Sequence, residues 1–195
     1  MATVAVVSQL TPADLGRATP CAGWTLANLL AHMTVQNHGF AIAAEGGGAD
    51  PTVWEVGPLG ADPVADYAAA TEHVLTAFAA DGVLERRFAL PEISAEVAFP
   101  AATAIGFHFI DCVVHGWDVA RSLGIGYELD AHLLQLALPI AEAVPDGSVR
   151  LQPGAAFRPR LPANDAAFRP GSPANGAATL DRILLLLGRS PDWPD

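Results

Sequence analysis

Residues 101–123 read AATAIGFHFIDCVVHGWDVARSL, and this stretch decides the fold. It begins after Pro100 and ends before Gly124, and its apolar residues recur at helical spacing, so it predicts one long helix. Four of its polar residues are three, four and three positions apart and therefore project from one helix face: His108, Asp111, His115 and Asp118. Apolar neighbours leave this face little contact with water. A polar stripe in such surroundings either meets partners across a helical bundle or binds a ligand.

A second long helix is expected nearer the N-terminus, where Thr25 can cap a helix that runs to about Ala44. This helix carries no formal charge, which is typical of a helix enclosed by other elements. Its polar residues recur every fourth position and form a stripe of their own: Asn28, His32 and Gln36. We expect this stripe to face inward, so that His32 lies opposite Asp111 and His115.

Two imidazoles and one carboxylate form a ligand set typical of catalytic zinc sites, which leave coordination positions open to water or substrate. The sequence therefore predicts a divalent metal ion, with zinc as the favoured one, bound by His32, Asp111 and His115. Two simpler interpretations remain open at this point. Asp111 and His115 can form a plain hydrogen-bonded pair, and His32 can be a buried histidine bonded to a carbonyl group.

His108 and Asp118 share the helix face but lie one turn outside the Asp111 and His115 pair. We assign both residues a supporting catalytic role. His108 can transfer a proton or serve as a fourth ligand, and either residue can hold a ligating histidine in the required tautomer. The sequence contains no GxSxG, HExxH, P-loop or CxxC motif.

The rest of the chain predicts shorter elements. Further helices are expected over about 11–17, 62–80, 130–143 and 177–187, and a weak strand signal covers residues 96–99. Residues 145–176 hold six Pro and four Gly, so we predict an irregular or β arm near the C-terminus. The expected fold is mainly α-helical, a helical bundle that forms a single metal-binding domain over residues 1–195.

The composition excludes several classes of function. Hydrophobic residues make up 51% of the chain and charged residues 16%, which favours a folded protein over a disordered one. The net charge is −11 and all ten basic residues are Arg, so the surface should repel nucleic acid and anionic lipid. The uncharged stretch over residues 18–44 contains too many polar side chains for a membrane span. With two cysteines and no signal-peptide pattern, the chain is expected to be cytoplasmic.

Three segments carry a resemblance to a known family: PCAGWTLANLLAH at 20–32, DCVVHGWDVAR at 111–121 and DRILLLLGRSP at 181–191. In this order they resemble the mycothiol-dependent maleylpyruvate isomerase-like family of the DinB-like superfamily. The resemblance implies a four-helix bundle and a zinc or similar ion held by residues at the positions of His32, Asp111 and His115. The isomerase differs in having Glu at the position of Asp111 and in carrying an added C-terminal domain.

The resemblance also implies a reaction. A low-molecular-weight thiol such as mycothiol would bind the metal, become a thiolate at neutral pH and add to a small electrophilic substrate. The outcome would be isomerisation or S-transfer, with Asn28 and Gln36 contacting the thiol or the substrate. Two alternatives stay open: a metal enzyme that uses no thiol, for hydrolysis or a rearrangement, and a non-catalytic metal-binding protein. The expected partner is a small molecule, and a homodimer is one oligomeric state that the sequence allows.

Overall fold

The computed structural model describes residues 2–152, 155–162 and 176–194, and for residues 176 and 177 only the backbone. Six α-helices and one pair of strands lie in these ranges: α1 Ala2–Val7, α2 Leu26–Glu45, α3 Pro63–Phe78, β1 Arg87–Ala89, β2 Ala98–Pro100, α4 Ala101–Leu123, α5 Ala131–Ala143 and α6 Gly176–Leu186. The expectation of a mainly α-helical bundle is confirmed. None of the described helices is long and apolar enough to cross a membrane.

The ends of α2 are fixed by local chemistry. Thr25 caps the helix because its hydroxyl accepts a hydrogen bond from the Asn28 backbone N–H. In return the Asn28 side-chain oxygen accepts the Thr25 backbone N–H at 3.0 Å, which completes a capping box. Gly46 ends the helix at a φ of +100°, a conformation that only glycine adopts without strain. The helix therefore begins and ends within two residues of the predicted limits.

The helices pack as a bundle around two central members. α2 packs against α3 and α4, α4 packs against α1 and α5, and α5 packs against α6. The contact between α2 and α4 is antiparallel, because His32 meets Asp111 while Phe40 meets His108 nearer the start of α4. This contact brings His32 of the α2 stripe against Asp111 and His115 of the α4 stripe, whereas Asn28 is exposed at the start of α2.

The short sheet closes one end of the core. β1 and β2 are antiparallel, with Phe88 opposite Phe99. Phe88 is fully buried in the same apolar cluster as Trp54 and Val74. Burial of a phenylalanine side chain contributes on the order of 2 kcal/mol, so the hairpin is anchored mainly by this residue. The weak strand signal at 96–99 was therefore correct in type, and its partner strand was not predicted.

The structure departs from the expected elements in two places near the N-terminus. The predicted helix over residues 11–17 is only a 3₁₀ turn at Pro12–Asp14, and α1 was not predicted. In the described part of the arm over residues 145–176 there is a 3₁₀ turn at Ser148–Leu151 and no strand, so of the two predicted forms the described part takes the irregular one. The rest of that arm, residues 153–154 and 163–175, lies outside the described residues.

Arg150 holds the described part of the arm in place by binding backbone carbonyl groups. Arg150 is 4% exposed, and its guanidinium donates hydrogen bonds to four backbone carbonyls: those of Val144, Pro145, Arg158 and Leu186. A carbonyl paired with a guanidinium satisfies both groups without a sheet. The described part of the arm is therefore ordered although it forms no strand.

Candidate metal centre

Three side chains from two helices meet inside the bundle. His32 comes from α2, and Asp111 and His115 come from one face of α4. Each offers one ligand atom, and these atoms all lie within 4.8 Å of one another. The Asp111 Oδ1 atom is 3.2 Å from His115 Nε2 and 3.6 Å from His32 Nε2. No other group of three His, Cys, Asp or Glu side chains meets this spacing in the described part of the chain.

Both imidazole nitrogens that face Asp111 lack a hydrogen bond. The Nε2 atoms of His32 and His115 are buried, and neither has a hydrogen-bond partner among the described residues. Their short distances to Asp111 are therefore close approaches without hydrogen-bond geometry. A buried polar atom without a partner costs about 1–3 kcal/mol, so two such atoms beside one carboxylate need an explanation. One cation bound by all three groups supplies it, and the residues fit a divalent metal ion.

The electrostatics of the site also favour a cation. Burial by itself would raise the pKa of Asp111, but the neighbouring His115 and His32 imidazoles hold it far below its usual range. Burial opposes the charging of His115, yet the carboxylates of Asp111 and Asp118 raise its pKa to about 9. The site therefore attracts positive charge, carried either by a proton or by a metal ion.

Asp118 fixes the orientation of His115. The Nδ1 atom of His115 donates a hydrogen bond to Asp118 Oδ2 at 2.9 Å, and both side chains are completely buried. Because Nδ1 is bound to Asp118, Nε2 is the ring nitrogen left to bind a metal ion on the Asp111 side. A carboxylate behind the imidazole also makes it a more basic ligand.

Arg189 binds the other side of the Asp118 carboxylate. Its Nε donates to Oδ1 at 3.0 Å and its Nη2 donates to Oδ2 at 3.0 Å, so the pair is bidentate. The guanidinium is also buried, with 1% of the residue exposed. A chain of hydrogen bonds thus connects the buried positive charge of Arg189, through Asp118, to the candidate ligand His115.

Two aromatic rings border the imidazoles. The Trp24 ring lies 5.0 Å from the His32 ring, edge to face, and 6.2 Å from the His115 ring at an interplanar angle of 17°. Phe157 lies 6.0 Å from His115 at 19°. These apolar rings exclude water from part of the site, which strengthens the electrostatic interactions within it.

The other predicted site residues have protein partners away from the three ligand atoms. His108 donates from Nε2 to Asn37 Oδ1 at 2.8 Å and is 5% exposed. Burial lowers its pKa to about 4. Asn28 forms the capping box of α2, and Gln36 donates to Glu92 at 2.8 Å. The structure does not bring these three side chains into the ligand group, and their roles in catalysis or in binding a co-substrate stay predictions.

Three residues of the site were not predicted: Trp24, Phe157 and Arg189. Trp24 lies in the 20–32 segment and Arg189 in the 181–191 segment, but neither had been given a role. An arginine directly after a strongly apolar helix was the available signal for Arg189, since such a charge needs a buried partner. No sequence signal marked Phe157.

Two surface cavities lie elsewhere. They measure about 330 Å³ and about 510 Å³ and share the loop residues Leu59 and Gly60. Neither is lined by His32, Asp111 or His115. Neither of these two cavities therefore belongs to the candidate metal centre.

Known proteins place the chain in a family. The family model described as mycothiol maleylpyruvate isomerase N-terminal domain matches residues 2–120, a range that includes His32, Asp111 and His115. Two Mycobacterium tuberculosis proteins, MT0763 of strain CDC 1551 / Oshkosh and Rv0738 of strain ATCC 25618 / H37Rv, are each 31% identical over 161 residues. The aligned region covers 83% of this chain and 82% of theirs, and both are described as uncharacterized. No solved structure gives a significant match. The chain belongs to the mycothiol maleylpyruvate isomerase N-terminal domain family.

Proposed function

We propose that this protein is a metal-dependent enzyme that uses a low-molecular-weight thiol, such as mycothiol, for isomerisation or S-transfer on a small electrophilic substrate. One observation carries the proposal: two buried imidazole nitrogens without partners lie beside one carboxylate, in a chain of this family. The ligand set of two histidines and one carboxylate is that of catalytic zinc sites, which keep a coordination position for a further molecule.

Zinc is the ion that the donor set favours, held by His32, Asp111 and His115. When bound there, the ion would lower the pKa of a thiol in the open position, so that the thiol reacts as a thiolate at neutral pH. The chain supplies the rest of the arrangement. Asp118 holds the proton on His115 Nδ1 and so keeps Nε2 available as a ligand atom. Trp24 and Phe157 keep water from part of the ligand group.

Addition of a thiolate to an electrophilic carbon accounts for both proposed outcomes. If the sulfur–carbon bond forms and later breaks again, rotation in the adduct produces an isomer and returns the thiol. If the bond persists after protonation of the neighbouring carbon, the product is an S-conjugate. Neither outcome needs an oxidant or a reductant.

The first experiment asks whether the protein binds a metal at these residues. We expect about one zinc ion per chain by elemental analysis, and at least about a tenfold loss of affinity in His32→Ala and in His115→Ala. His73→Ala, at a histidine of α3 that contacts Glu45 instead, is the matched control and should retain the metal. Equal zinc content in all four proteins would refute the site.

The second experiment separates the thiol reaction from hydrolysis. Cobalt-substituted protein is titrated with mycothiol and, in parallel, with glutathione. A sulfur-to-cobalt charge-transfer band that forms with mycothiol at lower concentration would support the proposal. Cobalt-loaded protein that shows no spectral change with either thiol would instead favour an enzyme that uses water, or a non-catalytic metal-binding protein.

A further inference from the structure

We infer that Arg189 is a positioning residue of the metal centre, which acts on the ligand His115 through Asp118. The inference rests on the proposed metal site and adds to it a residue from outside the segment 2–120 that the family model matches. It assigns part of the metal affinity to the C-terminal region of the chain.

The contact between Arg189 and Asp118 restrains the carboxylate in two directions. The guanidinium contacts both carboxylate oxygens, and Oδ2 is also the atom that accepts the His115 Nδ1 proton. A bidentate contact of this kind fixes the plane of a carboxylate as well as its position. Rotation of Asp118 away from His115 would break this contact. The imidazole is thereby restrained in the orientation that presents Nε2 to Asp111.

Charge balance supports the same role. His115 lies between two carboxylates, those of Asp111 and Asp118, and all three side chains are at most 16% exposed. Arg189 places one fixed positive charge against the carboxylate that does not belong to the ligand group. Asp118 can therefore stay ionised without competing with Asp111 for a metal ion.

Arg189 also joins the site to the described part of the arm. Its Nη2 donates to the backbone carbonyl of Ala156 at 2.7 Å, and the next residue, Phe157, contacts the His115 ring. One guanidinium thus binds the Asp118 carboxylate, which contacts His115, and the backbone of the residue before Phe157, whose ring contacts His115.

Arg150 is a matched control for Arg189, because it is a buried arginine that holds the arm but does not contact Asp118. It is buried to a similar degree, but its guanidinium hydrogen bonds go to backbone carbonyls, and its nearest carboxylate is the half-exposed Asp146 at 3.8 Å. Loss of Arg150 should weaken the arm and lower the stability of the metal-free protein. It should leave the contact between Asp118 and His115 in place.

The test measures zinc affinity by competition with a chromophoric chelator in full-length wild type, Asp118→Asn, Arg189→Met, the double variant and Arg150→Met. Because the loss of an outer partner of a metal ligand costs about 10–100-fold in affinity, we expect a loss in that range for Arg189→Met. We expect Arg150→Met to bind zinc within about threefold of wild type. The double variant should bind no more weakly than Asp118→Asn alone, because Arg189 acts through Asp118.

Two further measurements separate positioning from stability. The His115 Nδ1 proton of the zinc-loaded protein should give a slowly exchanging downfield NMR signal, shifted in Arg189→Met and unchanged in Arg150→Met. Arg189→Lys keeps the charge but not the bidentate contact, so its affinity should be intermediate. If Arg189→Met does not fold, Arg189→Lys still tests the positioning role.

Two outcomes would overturn the inference. Zinc affinities that are equal in wild type, Arg189→Met and Arg189→Lys would refute the positioning role and leave the metal site intact. Effects of Arg189→Met and Asp118→Asn that multiply in the double variant would show that Arg189 acts independently of Asp118. Failure of wild type to bind zinc would instead refute the proposed site itself.

Discussion

His108 Nε2 donates a hydrogen bond to Asn37 Oδ1 at 2.8 Å and so ties α4 to α2 in the bundle interior. Asn37 in turn donates from Nδ2 to the Thr71 hydroxyl, which donates to the Tyr67 carbonyl within α3. The rings of Phe40 and Phe78 stand edge-on to the imidazole. His108 is thus a neutral buried histidine with a structural hydrogen bond.

The stability of the protein should depend on pH through His108. Burial lowers the pKa of His108 from the ordinary 6.5 to about 4, so the unfolded chain takes up a proton at a higher pH than the folded one. The neutral imidazole therefore makes its full contribution to the free energy of unfolding above pH 6.5. This contribution is lost as the pH falls from 6.5 to about 4. A shift of this size corresponds to about 3 kcal/mol in the free energy of unfolding.

The check is urea unfolding at pH 7 and at pH 5, in chelator, for wild type and His108→Gln. The variant should lose about 2 kcal/mol less than wild type between the two pH values, since it has no imidazole to protonate. His132→Gln, at an exposed residue of α5, is the control and should behave as wild type. Identical pH dependence in wild type and His108→Gln would contradict this account of His108.

Replacement of His108 should not release the metal. Its Nε2 is bound to Asn37, and it does not belong to the group of three ligand atoms. We expect His108→Gln to bind zinc within about threefold of wild type, against at least about a tenfold loss for Asp111→Asn. If His108→Gln loses zinc to the same extent as Asp111→Asn, His108 is a ligand and the coordination is more closed than proposed.

Gly39 should not tolerate a larger residue. A Cβ atom at this position of α2 would lie 2.5 Å from the Trp54 ring, which is held in place by a hydrogen bond to the Gly48 carbonyl. Overpacking typically costs about 1–3 kcal/mol, more than the helix propensity gained by alanine. We therefore expect Gly39→Ala to lower the free energy of unfolding by about 1–2 kcal/mol. Gly16→Ala is the control, because a Cβ atom at Gly16 would meet nothing within 4 Å. It should change the free energy of unfolding by less than about 0.5 kcal/mol.

Trp24 should report metal binding by fluorescence. Its ring lies 5.0 Å from the His32 imidazole and 6.2 Å from the His115 imidazole. A metal ion bound by these two rings should change the emission, because it changes the charge beside the indole. We expect zinc to alter the spectrum of wild type and of Trp54→Phe, and to have little effect on Trp24→Phe. A full response in Trp24→Phe would place the bound metal elsewhere.

The sequence predicted that His32, Asp111 and His115 meet, because most of the information needed is local. Asp111 and His115 are one helical turn apart, so their shared face follows from helix geometry alone. His32 required one further step, the inference that an uncharged helix is enclosed. The ends of both helices were predictable since Gly46 and Gly124 adopt positive φ angles there.

The parts that were missed depend on contacts between distant segments. Arg189 lies 71 residues from Asp118, and helical spacing carries no information about such a pair. The six residues of α1 are too few for a periodic pattern to stand out. A composition rich in Pro and Gly predicts an irregular or β arm, but it does not show that Arg150 would bind backbone carbonyls there.

The separation of Asp118 from Arg189 has a consequence for the order of events during synthesis. A nascent chain that extends only to the end of α4 already holds all three candidate ligands and Asp118, but not the guanidinium that balances the Asp118 charge. Burial of an unbalanced carboxylate is costly, so we expect α4 to stay partly hydrated until Arg189 has left the ribosome. The interior of the bundle would then be completed in a late step, by residues translated long after α2 and α4.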